Sequence, residues 1–312
     1  MSRAVLVTGG AGFIGSHLVE VLVARGDRVR VLDSFDDFYS PAVKERNLAA
    51  VSERLELVRA DLLDPGVVAR AVAGMDCVVH LAARAGVRRS IQDPVPYMQV
   101  NVVGTQILLQ AMRAAGVRQL VAASSSSVYG ARTQGPFRET DTLGVAASPY
   151  AASKQAMESI CRTWQRLYGG DLTLLRFFTV YGPRQRPDMA IHGFARKILA
   201  GEPITMFGDG ASLRDYTFIG DIVQGLLSAV DTPLPGEVLN LGNTHPVRLD
   251  ALIAALGRAL GCPVRVERVG EQAGDVPLTW ADVSRARDLL GYAPKTDLEE
   301  GLAAFVGWLG GV

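Results

Sequence analysis

The segment Arg3-Ala-Val-Leu-Val-Thr-Gly-Gly-Ala-Gly-Phe-Ile-Gly15 joins a short apolar run to glycines in the pattern G-x-x-G-x-x-G. Residues 13–25 continue with helical periodicity, and Gly26 ends them. A strand, a glycine turn and a helix in this order predict a dinucleotide site, because pyrophosphate binds at the free N–H groups of a helix N-terminus. The spacing is not G-x-G-x-x-G, so a tight turn without a ligand stays open as the alternative. The contacts expected here are Gly9, Gly12, Phe13, Ile14 and Gly15.

Small and acidic residues come after the next predicted strands. Asp33 ends the second strand, where a carboxylate can bind the adenosine ribose hydroxyls and repel a 2′-phosphate, so NAD is preferred over NADP. Asp61 and Leu62 come after the third strand and could reach adenine, although Asp61 could equally be a helix N-cap. At the carboxyl end of the fourth strand, three residues are small enough for a cofactor to pass over them, with mere packing as the alternative, namely Leu81, Ala82 and Ala83.

The order of the segments indicates the fold class. Apolar strands near 3–8, 29–32, 55–58, 77–81, 120–123 and 172–175 alternate with helices that include 65–74, 96–115 and 150–168. This alternation predicts a doubly wound parallel α/β sheet of the Rossmann type, with ligands at the carboxyl ends of the strands. After residue 180, glycines and prolines separate shorter elements. We therefore expect a dinucleotide domain over 1–180 and a smaller substrate lobe over 181–312, with a blurred boundary that the chain crosses more than once.

The composition excludes several classes of function. The chain has 312 residues, with 32 basic and 32 acidic side chains, which argues against a nucleic-acid or membrane-surface role. Its three cysteines are scattered and its four histidines lack metal-ligand spacing, so we expect neither disulfides nor a metal site. A strand begins within three residues of the N-terminus and no apolar stretch reaches spanning length. These features predict a cytoplasmic protein.

Tyr150-Ala-Ala-Ser-Lys154 suggests proton transfer beside the cofactor. Residues four apart project from the same face of a helix. An ammonium near a phenol favours the phenolate and lowers the tyrosine pKa, as a general base requires. The pair occurs by chance on many helices, and it gains meaning from the glycine turn at the N-terminus.

Five motifs together resemble one family. They are TGGAGFIG at 8–15, HLAA at 80–83, SSSSVYG at 124–130, YAASK at 150–154 and RDYTFIGDI at 214–222. The chain is similar to the extended short-chain dehydrogenases/reductases, the NAD-dependent nucleotide-sugar epimerases and dehydratases. The resemblance implies that Ser125 is the active-site hydroxyl, that Tyr150 is the acid/base, and that Lys154 binds the nicotinamide ribose and lowers the tyrosine pKa. It also implies that Asn101 lies beside the cofactor, although a buried polar residue in a helix is the alternative.

The residues after Ser125 bear on the reaction. Dehydratases of the family carry an Asp-Glu pair there, whereas this chain has Ser126 and Ser127. Residues 176–190, together with Ala85-Gly-Val-Arg88, are most similar to the UDP-glucuronate 4-epimerases. That resemblance implies that Thr179, Ser126 and Ser127 hold the substrate carboxylate. It also implies that Arg186 lies near the reacting sugar, with Arg184 as the competing candidate.

The nucleotide half of the site is expected farther along the chain. By resemblance, Arg214 pairs with the diphosphate and Asp275 binds the uridine ribose, with an ion pair between Arg214 and Asp215 as the alternative. The residues that could line the uracil are Met189, Thr205 and Phe207.

The function implied by the resemblance is C4 epimerisation of UDP-glucuronate to UDP-galacturonate, through a transient 4-keto sugar and a tightly bound NAD. UDP-glucuronate decarboxylase and UDP-glucose 4-epimerase are the nearest alternatives, and an NAD-binding sensor without turnover is a remote one. The resemblance also implies a homodimer formed by the helices near 96–115 and 150–168. The residues of these helices that are compatible with such packing are apolar Ile107, Leu108, Met157 and Ile160.

Overall fold

The structure is a computed structural model that describes residues 2–272 and 274–311. Within these residues the strands are β1 Ala4–Thr8, β2 Arg28–Asp33, β3 Glu56–Arg59, β4 Cys77–His80, β5 Gln119–Ser125, β6 Asp171–Phe177, β7 Thr179–Tyr181, β8 Ile204–Phe207, β9 Leu213–Phe218, β10 Pro235–Leu241, β11 Pro246–Arg248 and β12 Val266–Val269. The helices are α1 Phe13–Arg25, α2 Pro41–Leu48, α3 Pro65–Val72, α4 Val87–Gln92, α5 Val95–Met98, α6 Thr105–Ala115, α7 Pro149–Tyr168, α8 Ala190–Leu199, α9 Ile219–Asp231, α10 Leu249–Leu260, α11 Ser284–Leu290 and α12 Leu298–Leu309. Short 3-10 turns lie at Ser52–Arg54 and Ser126–Tyr129, and a π-helical turn spans Gln99–Gly104.

The central sheet has seven parallel strands in the order β3-β2-β1-β4-β5-β6-β10. Every residue of β1 and of β4 is buried, as expected for a parallel sheet that helices cover on both faces. The chain winds outward in opposite directions from β1 and β4. This reversal opens a crevice at the carboxyl ends of those strands. The predicted doubly wound fold is confirmed.

Helices pack on both faces of this sheet. Leu22 of α1 and Leu226 of α9 belong to the core on one face, and Leu108 of α6 and Met157 of α7 belong to the core on the other. All four side chains are 0% exposed, and burying each contributes about 1.5–3 kcal/mol. Leu108 and Met157 point into the core, so these two of the four compatible residues are not available to a second copy of the chain.

The other strands form two small sheets, β7-β9-β11 and β8-β12. Helices α8, α10 and α12 pack beside them through Ile191, Leu252 and Phe305. Two later elements nevertheless lie on the large sheet, because β10 pairs with β6 and α9 packs against α1. The chain therefore passes between the two regions more than once.

The predicted helix over 96–115 is interrupted. Helix α5 ends at Met98, a π-helical turn comes next, and α6 begins at Thr105. The Thr105 hydroxyl donates to the Asn101 carbonyl at 2.7 Å. Gly104 lies so close to Leu62 that a Cβ on it would come within 2.8 Å of a Leu62 methyl. Such π turns are frequent near functional sites.

The structure supplies no metal-ligand or disulfide geometry in its described part. Cys77 and Cys161 are buried and Cys262 is partly buried, all three as free thiols. Among the described residues, no group of three or more His, Cys, Asp or Glu side chains could hold a metal ion. No helix in the described ranges is both long and apolar enough to cross a membrane.

Candidate active site

A cavity of about 1390 Å³ runs along the carboxyl ends of the central strands and continues into the smaller lobe. Its wall includes every predicted site residue except Asn101. The predicted cofactor, catalytic and substrate residues therefore share one continuous site, and its volume exceeds that of an ordinary small-molecule pocket.

The glycine turn at one end of the cavity is geometrically suited to an anion. Gly9 has a φ of 70°, in the left-handed region that favours glycine. A Cβ on Gly15 would lie 2.3 Å from the Gly9 carbonyl oxygen, so a larger residue cannot occupy that position. Gly12 precedes α1 without a side-chain cap, which leaves N–H groups of the first turn free to bind a pyrophosphate.

Asp33 is fixed at the end of β2, next to this turn. Its carboxylate accepts hydrogen bonds from the Ala11 N–H at 3.1 Å and the Phe35 N–H at 2.9 Å. The Lys44 ammonium lies 3.3 Å from it and lines the same cavity. Lys44 belongs to no motif, so sequence patterns offer no reason to select it. The carboxylate is thus held rigidly where a ribose can reach it.

The remaining predicted cofactor contacts divide into two groups. Asp61, Leu62 and the 81–83 segment lie in the cavity wall. Asp61 is not a helix N-cap, because Asp64 caps α3 by accepting from the N–H groups of Gly66 and Val67.

Asn101 lies outside the cavity wall, among buried polar groups. Its side-chain oxygen accepts from the Arg84 N–H at 2.8 Å, and its side-chain nitrogen donates to the Arg84 carbonyl and the Ser153 hydroxyl, both at 2.9 Å. These contacts agree with the alternative that the sequence left open, a buried hydrogen-bonded polar residue in a helix, while the cofactor contact of Asn101 stays a prediction. Its amide is fully used in joining the loop after β4 to α7.

Helix α7 presents the predicted acid/base to the cavity. Ser148 caps the helix by accepting from the Ala151 N–H at 3.1 Å, and Pro149 occupies the first helical position. Burial raises the pKa of the Tyr150 phenol. A hydrogen bond with Ser125 and the positive charge of Arg186 oppose that rise. Tyr150 and Ser125 both line the cavity.

Lys154 lies one helical turn after Tyr150 and lines the same cavity. Its ammonium donates to the Ala123 carbonyl at 2.8 Å. Burial lowers the pKa of Lys154 to about 8, and the nearby Cys161 and Glu158 oppose the decrease. The expected contact of Lys154 with a nicotinamide ribose and its effect on the Tyr150 pKa stay predictions.

A buried polar network that the sequence analysis missed begins at Ser124, next to the predicted active-site hydroxyl of Ser125. The Ser124 hydroxyl donates to the Glu158 carboxylate at 2.5 Å. Arg176 donates to both oxygens of Glu158, at 2.8 and 2.7 Å, and to the Tyr129 hydroxyl at 3.0 Å. Tyr129 donates in turn to Asn240 on β10 at 2.7 Å. These contacts fix β5, α7, β6 and β10 together directly behind Ser125.

The two candidate arginines of the 182–189 loop point in different directions. Arg184 pairs with Glu20 at 2.5 Å and lies outside the cavity wall. Arg186 lines the cavity and is held by Asp188 through two hydrogen bonds, at 3.0 and 2.9 Å. Three hydroxyls line the same cavity, those of Ser126, Ser127 and Thr179. Arg186 is therefore the arginine that can reach a ligand.

The far end of the cavity contains the predicted nucleotide residues. Arg214, Asp275 and Thr205 line it, as do Met189 and Phe207. The predicted alternative of an ion pair between Arg214 and Asp215 is wrong, because Asp215 accepts from the backbone N–H groups of Asn243, Thr244 and Ala281. Arg214 faces the cavity instead, and burial lowers its pKa. A buried guanidinium at this position favours an anionic ligand.

Sequence comparison now identifies the family. The profile of the NAD dependent epimerase/dehydratase family matches residues 5–242. The chain belongs to this family. The predicted resemblance is confirmed.

Individual members of the NAD dependent epimerase/dehydratase family are similar over nearly the whole chain. UDP-glucuronate 4-epimerase 1 of Arabidopsis thaliana is 42% identical, covering 98% of this chain and 76% of the relative. UDP-glucuronate 4-epimerase of Thermodesulfobacterium geofontis is 39% identical, covering 97% and 95%. The structure of UDP-glucuronic acid 4-epimerase from Bacillus cereus in complex with UDP-glucuronic acid and NAD superimposes with a TM-score of 0.94. That protein is 35% identical, covering 98% of this chain and 99% of its own.

Proposed function

We propose that the protein is an NAD-dependent UDP-glucuronate 4-epimerase, which converts UDP-glucuronate to UDP-galacturonate through a transient 4-keto sugar. The observation that carries this proposal is the arrangement around Tyr150. Arg186 and the hydroxyls of Ser126, Ser127 and Thr179 line the same cavity, which suits a sugar carboxylate. The positions where family dehydratases carry an Asp-Glu pair hold two serines, which disfavours loss of water.

NAD fits the residues at the glycine turn. A Cβ on Gly15 would clash with the turn, the first turn of α1 has free N–H groups, and Asp33 is fixed beside them. The chemistry that bound NAD supplies is acceptance of the C4 hydride and its return to the opposite face of the sugar. Because the cofactor is regenerated, we expect it to stay bound between turnovers.

The protein's own residues move the C4 hydroxyl proton. Tyr150 is the general base that removes it, and Ser125, which lines the same cavity, orients the hydroxyl. Arg186 adds a positive charge that favours the phenolate. When the hydride returns, the same phenol gives the proton back to the oxygen at C4.

The carboxylate must be restrained during this cycle. A 4-keto uronate is a β-keto acid and loses CO₂ when the bond to its carboxylate aligns with the ketone π system. Thr179, Ser126 and Ser127 are the residues that we propose hold the carboxylate out of this alignment. The observation that supports this role is that all three residues line the same cavity as Tyr150 and Arg186.

The nucleotide end suits the other half of the substrate. We propose that Arg214 pairs with the diphosphate, that Asp275 binds the uridine ribose, and that Met189 and Thr205 contact the uracil. Asp275 accepts from Arg88 at 3.4 Å, and the Arg88 guanidinium lies 4.6 Å from the Phe207 ring centroid. These contacts join three separate segments around the mouth of the cavity.

Arg214→Met should weaken substrate binding without changing cofactor retention. Hydrogen bonds to charged groups contribute about 1.5–3 kcal/mol each, so KM for the UDP-sugar should rise roughly 10- to 100-fold. Steady-state kinetics measures the change. Arg184→Met is the matched control, because Arg184 pairs with Glu20 outside the cavity wall. An equal rise in both variants would contradict the role of Arg214.

The proposed reaction is tested by incubating purified protein with UDP-glucuronate, with and without added NAD, and monitoring products by NMR. UDP-galacturonate without added cofactor is the expected product. UDP-pentose with CO₂ would indicate a decarboxylase. Activity restricted to UDP-glucose would indicate a UDP-glucose 4-epimerase, whose substrate has a neutral group at C6. Protein that binds NAD but converts no UDP-sugar would support a sensor.

We propose that the protein is a homodimer through the outer faces of α5, α6 and α7. Val95, Met98 and Val103 are 60%, 37% and 50% exposed along this segment, and Ile107 and Ile160 are partly exposed. This apolar surface suits a second copy of the chain. Val103→Glu should shift sedimentation from dimer to monomer, and a monomeric wild-type protein would exclude the proposal.

A further inference from the structure

The loop of residues 34–40, between β2 and α2, places one aromatic ring among three arginines. The guanidinium carbons of Arg89, Arg186 and Arg84 lie 4.1, 5.5 and 5.6 Å from the centroid of the Phe38 ring. All of these distances allow cation–π attraction. Phe38 and Arg186 both line the cavity. The ring is therefore part of the surroundings of Arg186.

Contacts that do not involve Arg186 hold this loop in place. The Phe38 N–H donates to Asp36 at 2.8 Å, and Arg84 donates to the other oxygen of Asp36 at 2.7 Å. Arg89 donates to the Phe38 carbonyl at 2.9 Å. Because Arg84 and Arg89 hold the loop without Arg186, the Phe38 ring is already in place for Arg186 to pack against.

Arg186 is restrained on two sides. Asp188 accepts from its Nε and Nη2, and the Phe38 ring lies against its guanidinium. Both charged side chains are only 20% exposed. Burial alone lowers the pKa of Arg186, but its hydrogen bonds with Asp188 raise it above its usual value. Within the described residues no hydrogen bond uses Nη1, which leaves this nitrogen available to a ligand.

We propose that Phe38 and Asp188 are positioning residues that set the direction of the Arg186 guanidinium. They thereby determine whether the 4-keto intermediate is returned to a uronic acid or loses CO₂. This inference rests on the proposed function. Neither residue needs to touch the reacting atoms, because each acts through Arg186. The planar guanidinium suits this arrangement, since one edge binds Asp188 while a face packs on the ring.

The orientation of this cation bears on both outcomes. Loss of CO₂ breaks the C5–C6 bond and moves its electron pair onto the C4 carbonyl oxygen, giving an enolate. A proton from solvent then adds at C5, and reduction of the ketone by the retained hydride completes a UDP-pentose. A guanidinium directed at the carboxylate keeps the C5–C6 bond out of alignment. A mobile guanidinium releases the carboxylate or stabilises the enolate oxygen.

The test measures the ratio of UDP-pentose to UDP-galacturonate by NMR after incubation with UDP-glucuronate. Phe38→Leu and Asp188→Asn should each raise this ratio at least tenfold over wild type. Phe38→Tyr keeps the aromatic face and should retain a ratio close to that of wild type. A purely structural role would lower the rate of both products without changing their ratio.

Phe35→Leu is the matched control. Phe35 lies in the same loop and has its own arginine contact, with Arg59 at 4.0 Å, but it is outside the cavity wall. It should leave the ratio unchanged even if stability falls. If Phe38→Leu and Asp188→Asn keep the wild-type ratio while Arg186→Met raises it, the inference is overturned. If either Phe38→Leu or Asp188→Asn is too unstable to assay, the ratios measured for the remaining variant and for Phe38→Tyr decide between the two outcomes. Wild-type protein that makes no UDP-galacturonate would instead refute the proposed function.

Discussion

Tyr150→Phe is expected to lower turnover by about 10²–10⁴-fold, the contribution typical of a positioned acid or base. The substitution removes only the phenol oxygen, so the ring contact with Tyr97, with centroids 6.2 Å apart, should persist. NAD should remain bound, because the glycine turn and Asp33 are untouched. Product formation by NMR and the absorbance of extracted cofactor measure the two quantities separately.

The pH dependence of turnover provides a second check on Tyr150. Burial raises the pKa of this phenol above its usual value, with opposition from Ser125 and Arg186. Since the base form is the phenolate, the rate in the wild-type protein should rise with pH until the phenol has ionised. The residual rate of Tyr150→Phe should lack this rise. A variant with wild-type turnover, or with the same pH profile, would show that another group takes the proton.

Arg176→Met should destabilise the fold by about 3–5 kcal/mol, because it leaves a buried carboxylate without its partner. The Arg176 and Glu158 side chains are 3% and 4% exposed. Of its hydrogen-bond partners among the described residues, Glu158 would keep only the Ser124 hydroxyl, and Tyr129 would lose a donor. Chemical unfolding monitored by circular dichroism measures the loss of unfolding free energy.

The double variant Glu158→Met with Arg176→Met separates the interaction energy between these two side chains from the energy of their other contacts. Removing both charges removes the desolvation cost of each, so the double variant should be more stable than the sum of the single effects predicts. Additive losses would mean that the two side chains do not stabilise each other. The Arg166→Met variant changes an exposed arginine of the same helix and should shift stability by less than about 0.5 kcal/mol.

The features that the sequence predicted are those encoded within a few neighbouring residues. Each of these features lies in one short segment, as the glycine turn, the strand ends and the Tyr150/Lys154 pair show. Their positions could therefore be predicted from the spacing of residues in the sequence. Arg186 could be preferred over Arg184 only from the structure, because both lie in the same loop. The choice depends on the contact of Arg184 with Glu20, which is far away in the sequence.

The residues that the sequence missed act across several elements. Glu158 is an ordinary polar position on α7 until Arg176 on β6 and Ser124 on β5 are brought to it. Phe38 looks like an ordinary loop aromatic, since its arginines come from separate parts of the chain.

The π-helical turn at Gln99–Gly104 also bears on how this protein tolerates a change of length. A π-helical turn is closed by a hydrogen bond between residues five apart, whereas an α-helical turn is closed between residues four apart, so the π turn contains one extra residue. Deleting one residue there can restore a regular helix without rotating α6. A deletion within α6 would rotate the rest of that helix by about 100° and would turn Met112 out of the core, where it is fully buried. The chain can therefore lose a residue at this turn while the buried and exposed faces of α6 keep their orientation.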